Sequence, residues 1–144
     1  MTTGKIVIVG GGHAAAQLCI SLVDAGCGSD ITLISEEAVP PYQRPPLSKS
    51  FLKSPTETVQ LLRGESWYQE HGIRLMLGSQ VITIDRESKG VDLADGSRLG
   101  YDQLVLATGA RARSFPDIPM DTVNVFSLRG KDDAQALQTM MAEP

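Results

Sequence analysis

Gly10, Gly12 and Ala15 stand in the spacing G-x-G-x-x-G/A, and a carboxylate, Glu36, follows them by roughly 20 residues. These residue types at this spacing suit the binding of a dinucleotide. Gly10 permits a tight strand-to-helix turn, and Gly12 has no Cβ to keep a pyrophosphate away from the main chain. Ala15 is small enough for a helix to pack close against a strand, with His13 and Ala14 opening that helix. The N–H groups at a helix start have no partner within the helix and carry partial positive charge, so they attract phosphate. Glu36 can accept hydrogen bonds from a ribose 2′-OH, and its charge would repel a 2′-phosphate. The expected nucleotide is therefore not of the NADP type.

The spacing means little without its context, a strand before it and a helix after it. Residues 5–9, KIVIV, are an apolar, β-branched run suited to a parallel strand buried on both faces. Ala15, Leu18, Cys19, Leu22 and Val23 then share one helical face, and Gly26 and Gly28 end the helix. A second apolar strand over residues 31–34 runs into Glu36. The four prolines of PPYQRPP forbid a helix interior or a central strand there, and hold Arg44 on a stiff surface segment. Residues 47–52 read as a short helical turn, which carries Lys49.

Further along, residues 65–71 read as a short amphipathic helix ended by Gly72, and 73–77 as a third buried strand. From Val81 to Leu99 the pattern alternates, with Asp95-Gly96 as a hairpin turn. This predicts an antiparallel meander that returns the chain to the sheet. Residues 103–107 form a buried apolar strand ending in Thr108-Gly109, at the carboxyl end where open α/β sheets bind ligands. A last short strand is expected over 123–128, ending in Arg129, with an amphipathic helix beginning at Asp132 or Asp133.

With 144 residues, the chain has room for one domain with a proper core. Its net charge of −4 gives no support for nucleic-acid or membrane partners, and no stretch is long enough to span a bilayer, so a cytoplasmic location is expected. Cys19 and Cys27 form no C-x-x-C pair, and neither they nor His13 and His71 have metal-ligand spacing. No metal site is expected.

GGGHAAA, ITLISEE, PPYQRPPLSKSFL and YDQLVLATGA together resemble the flavoprotein reductases that serve ferredoxins, rubredoxins and putidaredoxin-like proteins. The PPLSK string is the most specific of these, and the resemblance covers nearly the whole chain. It implies that the first dinucleotide fold binds FAD. On that resemblance, Gly10, Gly12, Ala14 and Ala15 lie at the pyrophosphate and Glu36 at the adenosine ribose. Arg44 matches a phosphate-contacting arginine, Lys49 the lysine beside the isoalloxazine, and a backbone group at Val81 meets the adenine. Thr108 and Gly109 lie against the FAD, and Arg129 approaches its pyrophosphate.

The expected fold is α/β, a Rossmann-like three-layer parallel sheet with an antiparallel β-meander crossover. The resemblance further implies that residues 1–144 are the first segment of a discontinuous FAD-binding domain. Members of the family continue into an NAD(P)H-binding fold and a C-terminal domain, and no second G-x-G-x-x-G is present here. The leading reading is the FAD-binding part of an NAD(P)H-dependent reductase of a ferredoxin or rubredoxin. By itself the chain is expected to be without NAD(P)H-dependent electron transfer. The absence of a cysteine pair after the second strand points to an external electron carrier and not to thiol chemistry. The alternatives are a stand-alone module holding an adenine dinucleotide, and an inert fragment. Self-association is expected from sheet faces left without cover.

Overall fold

The computed structural model describes residues 4–113, 115–118 and 122–142. Its elements run β1 (Ile6–Val9), α1 (His13–Asp24), β2 (Ile31–Ile34), α2 (Ser50–Lys53), α3 (Glu65–Glu70), β3 (Arg74–Met76), β4 (Val81–Asp85), β5 (Gly90–Leu93), β6 (Arg98–Gly100), β7 (Gln103–Leu106) and α4 (Lys131–Ala142). They fall into two compact units, one of Met1–Tyr42 with Leu61–Gly109, the other of Gln43–Gln60 with Ala110–Pro144.

The first unit holds a four-stranded parallel sheet in the order β3-β2-β1-β7 and an antiparallel sheet in the order β4-β5-β6. Strand β1 is buried on both faces because successive side chains point to opposite sides. Ile6 and Ile8 face α1 and α3, in a cluster with Ala15, Cys19, Ile31, Leu33, Tyr68 and Ile73. Val7, together with Ile34, meets Val91 and Leu93 of β5 instead. The meander is thus more than a crossover: it is the third layer, covering the sheet face that the helices do not. Within the second unit, α4 packs against α2. The expected α/β architecture, a parallel sheet with an antiparallel meander, is what the structure shows.

Two strands differ from expectation. β3 and β7 each pair with a single strand among the described residues, and neither holds a fully buried residue. Arg74 is exposed, and Leu106 at the end of β7 is 58% exposed. An apolar run shows that a strand packs on something, not whether it has one neighbour or two. The hairpin between β5 and β6 also departs in detail. Asp92 pairs with Arg98, and Leu93 N donates to Ser97 O at 2.8 Å, leaving a three-residue loop in which only Gly96 has positive φ, +85°.

Among the described residues, one buried side-chain polar atom in the core is unpaired. The Tyr68 hydroxyl is buried and finds no hydrogen-bond partner among the described residues. Burial pushes its pKa from 10.0 up to about 12, with a smaller push from Cys19 and an opposing one from Arg63. Burial likewise pushes the Cys19 thiol from 9.0 up to about 12, which fits the expected inert core cysteine.

In the second unit, residues 45–48 form a 3-10 turn and α2 follows after Lys49, as the short helical turn predicted. Gln138 of α4 donates through Nε2 to the carbonyls of Phe51 at 2.5 Å and Ser54 at 3.3 Å, fastening α4 to α2. The strand expected over 123–128 is absent. Val123 and Asn124 lie in a turn closed by Val125 N donating to Thr122 O at 3.1 Å, and Val123 is 82% exposed. With no neighbouring strand to receive its hydrogen bonds, β propensity alone does not make a strand there. No helix of the described residues is long and apolar enough to cross a membrane.

Candidate functional site

The first unit's candidate residues gather at the carboxyl ends of its parallel strands. Gly10 follows β1 and is held there by its N–H, which donates to Ile34 O at 2.8 Å. Its φ is +123°, and a Cβ there would collide with the Ala107 carbonyl. Gly10 is therefore required by the turn and by the close approach of the segment after β7. Thr108 N also lies against Gly10, so the loop from Ala107 to Gly109 borders the glycine loop as the topology predicted. Thr108 and Gly109 are both exposed.

Gly12 is different in kind. Its φ of −99° and ψ of −173° are extended values open to any residue, and a Cβ there would meet nothing within 4 Å. Neither the backbone nor the packing of the protein asks for glycine at this position. It is also the N-cap of α1, with no side-chain cap and no acidic residue in the first turn. Its carbonyl accepts the first helical bond, from Ala16 N at 3.1 Å. An uncapped helix start beside a position kept bare of side chain fits an anionic group such as a dinucleotide pyrophosphate. His13 and Ala14 are exposed on that first turn, and Ala15 is buried against the sheet as its small size predicts.

Gly11 has a role that its place in the motif did not reveal. A Cβ there would run into the Ser35 hydroxyl, so this glycine lets the loop lie on β2's end. Ser35 is buried, its N–H donating to Met76 O at 2.9 Å, and next to it Glu36 is exposed. Gln80 Nε2 donates to Glu36 Oε1 at 3.5 Å. Val81 sits beside Gln80 where β4 begins, at a register shift against β5, its side chain packed on the cluster of Val7 and Leu93. No sequence signal marked Gln80 as a partner of Glu36.

The second unit carries the candidate cations, and there each is tied to a carbonyl. Arg44 is half-buried, and its Nη1 donates to Arg129 O at 2.9 Å. Arg129 Nε donates in turn to Ala110 O at 2.8 Å. Asp133 Oδ2 accepts from both Arg129 N at 2.7 Å and Gly130 N at 2.8 Å. Arg44 and Arg129 are thus brought together. Lys49 is exposed, and its Nζ donates to Pro45 O at 3.3 Å, a local contact that involves neither arginine. The sequence named Asp133 as a candidate start of α4 but gave no sign that its carboxylate would hold the Arg129 amide.

Comparison with known proteins bears on the family and the fold. Residues 4–143 match the profile of a family described as pyridine nucleotide-disulphide oxidoreductase. The chain is 41% identical over 139 residues to rhodocoxin reductase of Rhodococcus erythropolis, covering 96% of this chain and 33% of the relative. It is 41% identical over 139 residues to rubredoxin-NAD(+) reductase of Pseudomonas putida, covering 96% of this chain and 36% of the relative. Among solved structures, the ferredoxin reductase for the CYP199A2 system from Rhodopseudomonas palustris superposes with a TM-score of 0.86 at 39% identity, over 95% of this chain and 34% of that one. Putidaredoxin reductase, solved in a covalent complex with putidaredoxin, gives 0.80 at 34% identity, over 98% of this chain and 35% of that one. The chain spans about a third of the length of these relatives.

Proposed function

Because the chain belongs to the pyridine nucleotide-disulphide oxidoreductase family, we propose that it is the FAD-binding portion of an NAD(P)H-dependent flavoprotein reductase. Its electrons would pass to a ferredoxin- or rubredoxin-like carrier, the kind of partner that the relatives' names carry. One observation carries the reading: Gly12, a glycine that the fold does not need, faces open space at an uncapped helix start.

In this reading the N–H groups at the start of α1, at His13 and Ala14, bind the pyrophosphate, and Gly10 and Ala15 set the turn and the packing that aim them. Glu36 accepts from the adenosine ribose, with Gln80 steadying one of its oxygens. A main-chain group of Val81 meets the adenine, and Thr108 and Gly109 border the cofactor. For the second unit, the family resemblance assigns Arg44 and Arg129 as cations for phosphate and Lys49 as the candidate catalytic residue. When bound, the flavin supplies the conversion of a two-electron hydride donor into a source of single electrons. The protein's share is to bind it, orient it and keep the charge around it balanced.

Titration of the purified chain with FAD, followed by flavin fluorescence, tests the proposal. Saturable binding with flavin absorption bands in the isolated complex is expected, and failure to bind FAD at micromolar concentration would overturn it. The second reading is a non-catalytic adenine-dinucleotide module, which the bare Gly12 at an uncapped helix start also supports. That reading predicts a bound colourless nucleotide and no preference for the flavin. Self-association belongs to the proposal too. Leu106, Phe115, Val123 and Met141 are all more than half exposed, and apolar surface of this kind favours association. Light scattering at micromolar concentration should show a dimer or larger species, and a clean monomer would contradict it.

A further inference from the structure

The parallel sheet of the first unit ends at β3, whose outer side meets no strand among the described residues. Met76 O accepts from Ser35 N at 2.9 Å, so Met76 turns its main chain towards β2. Residues along a paired strand turn their main-chain groups alternately to either side, and Leu75 therefore presents its N–H and C=O to the open edge. An unpaired edge of this kind is a template for a further strand.

A groove runs beside that edge. The chain reverses after α3 at Gly72, where φ is +71°, and Ile73 N donates to Tyr68 O at 2.9 Å, so β3 runs back along the helix. Between helix and strand lies an open cavity of about 270 Å³, lined by Glu65, Gln69, Ile73, Leu75 and Leu77. Ile73, Leu75 and Leu77 alternate along β3 and its flanks and form an apolar floor. Glu65 and Gln69, one helical turn apart, form an exposed polar rim. Neither rim side chain is engaged by an ion pair or hydrogen bond among the described residues. Arg74, the cation of β3, alternates to the opposite face, so the charge of the lining is that of Glu65.

A strand laid along β3 would bond through its main chain to Leu75 and send every second side chain into the groove. The apolar floor takes apolar side chains there, and the carboxylate on the rim takes a cation. We propose that this groove is the docking site for an extended segment of a partner protein, one with apolar side chains at alternate positions and a lysine or arginine on the same face. A second copy of β3 would not serve, because its Ile73, Leu75 and Leu77 already lie along its own α3. None of these residues has a part in the nucleotide reading, so the inference stands apart from it.

Fluorescence polarisation with labelled synthetic peptides, using the unaltered chain, tests the proposal. The probe is Lys-Thr-Val-Thr-Leu, which places lysine, valine and leucine on one face. Saturable binding is expected, with a peptide carrying glutamate in place of lysine binding about threefold or more weakly, the scale of an exposed ion pair. In Glu65→Lys, an exposed substitution that the fold should accept, the order of the two peptides should reverse. Two further peptides, N-methylated at one or the other set of alternate residues, separate strand pairing from mere side-chain adhesion. One of them should bind at least about tenfold more weakly, because it cannot bond to Leu75. Hydrogen exchange at the Leu75 amide should slow when the lysine peptide is added. The proposal is overturned if no peptide saturates up to millimolar concentration, if the order of affinities ignores Glu65, or if both N-methylated forms bind as well as their parent. It is overturned too if the Leu75 amide becomes protected with rising protein concentration and no peptide, which would place a second copy of the chain on the edge.

Discussion

The two units of this protein arrange their candidate ligand-facing groups by different physical means. In the first, main-chain geometry does it: Gly10 at φ +123° against the Ala107 carbonyl, Gly11 against Ser35, and Gly12 left bare at the start of α1. In the second, side chains grip carbonyls and amides: Arg44 on Arg129 O, Arg129 on Ala110 O, Asp133 on two N–H groups. A site built from backbone is rigid because the parallel sheet makes it so. A site built from long cationic side chains depends on each hydrogen bond, and charges near the surface are screened by salt. The difference predicts which kind of substitution each unit tolerates.

The largest effect should come from Gly10→Ala, which breaks the first unit's geometry outright. A side chain at positive φ combined with a collision against backbone should destabilise the fold by about 3 kcal/mol or more. Urea denaturation measures it, and a loss under 1 kcal/mol would contradict the close approach of Ala107. Next, Glu36→Ala and Arg44→Ala should each weaken FAD binding by about 1.5–3 kcal/mol, as for hydrogen bonds to charged groups; Glu36→Ala should leave the urea midpoint nearly unchanged, and Arg44→Ala should lower it, because the Arg129 carbonyl loses its donor. Salt sharpens the contrast between units. Repeated at low and high ionic strength, FAD titrations should show a salt dependence that shrinks in Arg44→Ala, where a cation has been removed.

A smaller effect of opposite sign is expected in the core of the first unit. Tyr68→Phe removes a buried hydroxyl that has no partner among the described residues, so it should raise stability by about 1 kcal/mol. The same burial makes the fold sensitive to alkali. Cys19 and Tyr68 stay protonated up to about pH 12 in the folded chain, while in the unfolded chain they ionise from about 9 and 10. The unfolded state then binds fewer protons, and stability falls as pH rises from about 9 towards 12. Thermal melts between pH 8 and 11 should show a falling Tm, less steeply in Tyr68→Phe. A flat profile would mean that these groups are not shielded as the fold shows.

How much of this was legible in the sequence depended on the unit. For β1, α1 and β2 the glycine spacing, the 3.6-residue period and the two apolar runs all agreed, and the structure follows them closely. The same runs misjudged β3 and β7, because hydrophobicity does not tell an edge strand from a central one. The meander was legible as alternation, but not as a layer. Val91 and Leu93 read as one face of a hairpin, and only the packed fold shows that face covering Val7 and Ile34. In the second unit, periodicity found α4 and misread residues 123–128 as a strand. Arg44 and Lys49 stood out there as cations on a proline-stiffened loop, and the resemblance gave them their roles. Gly11, Gln80 and Asp133 act through partners 24, 44 and 4 residues away, at Ser35, Glu36 and Arg129. The first two distances are beyond any local pattern.

The account's central claim is that Gly12 is glycine for the sake of a ligand and not for the fold. The most direct measurement is Gly12→Val, examined for both urea stability and FAD affinity. Its backbone is extended and the space around a Cβ is open, so the variant should fold, losing no more than about 1 kcal/mol. Its branched side chain should occupy the place of the pyrophosphate and weaken FAD binding by at least about a hundredfold, equivalent to roughly 2.7 kcal/mol. A folded Gly12→Val protein that binds FAD as tightly as the unaltered chain would contradict the claim.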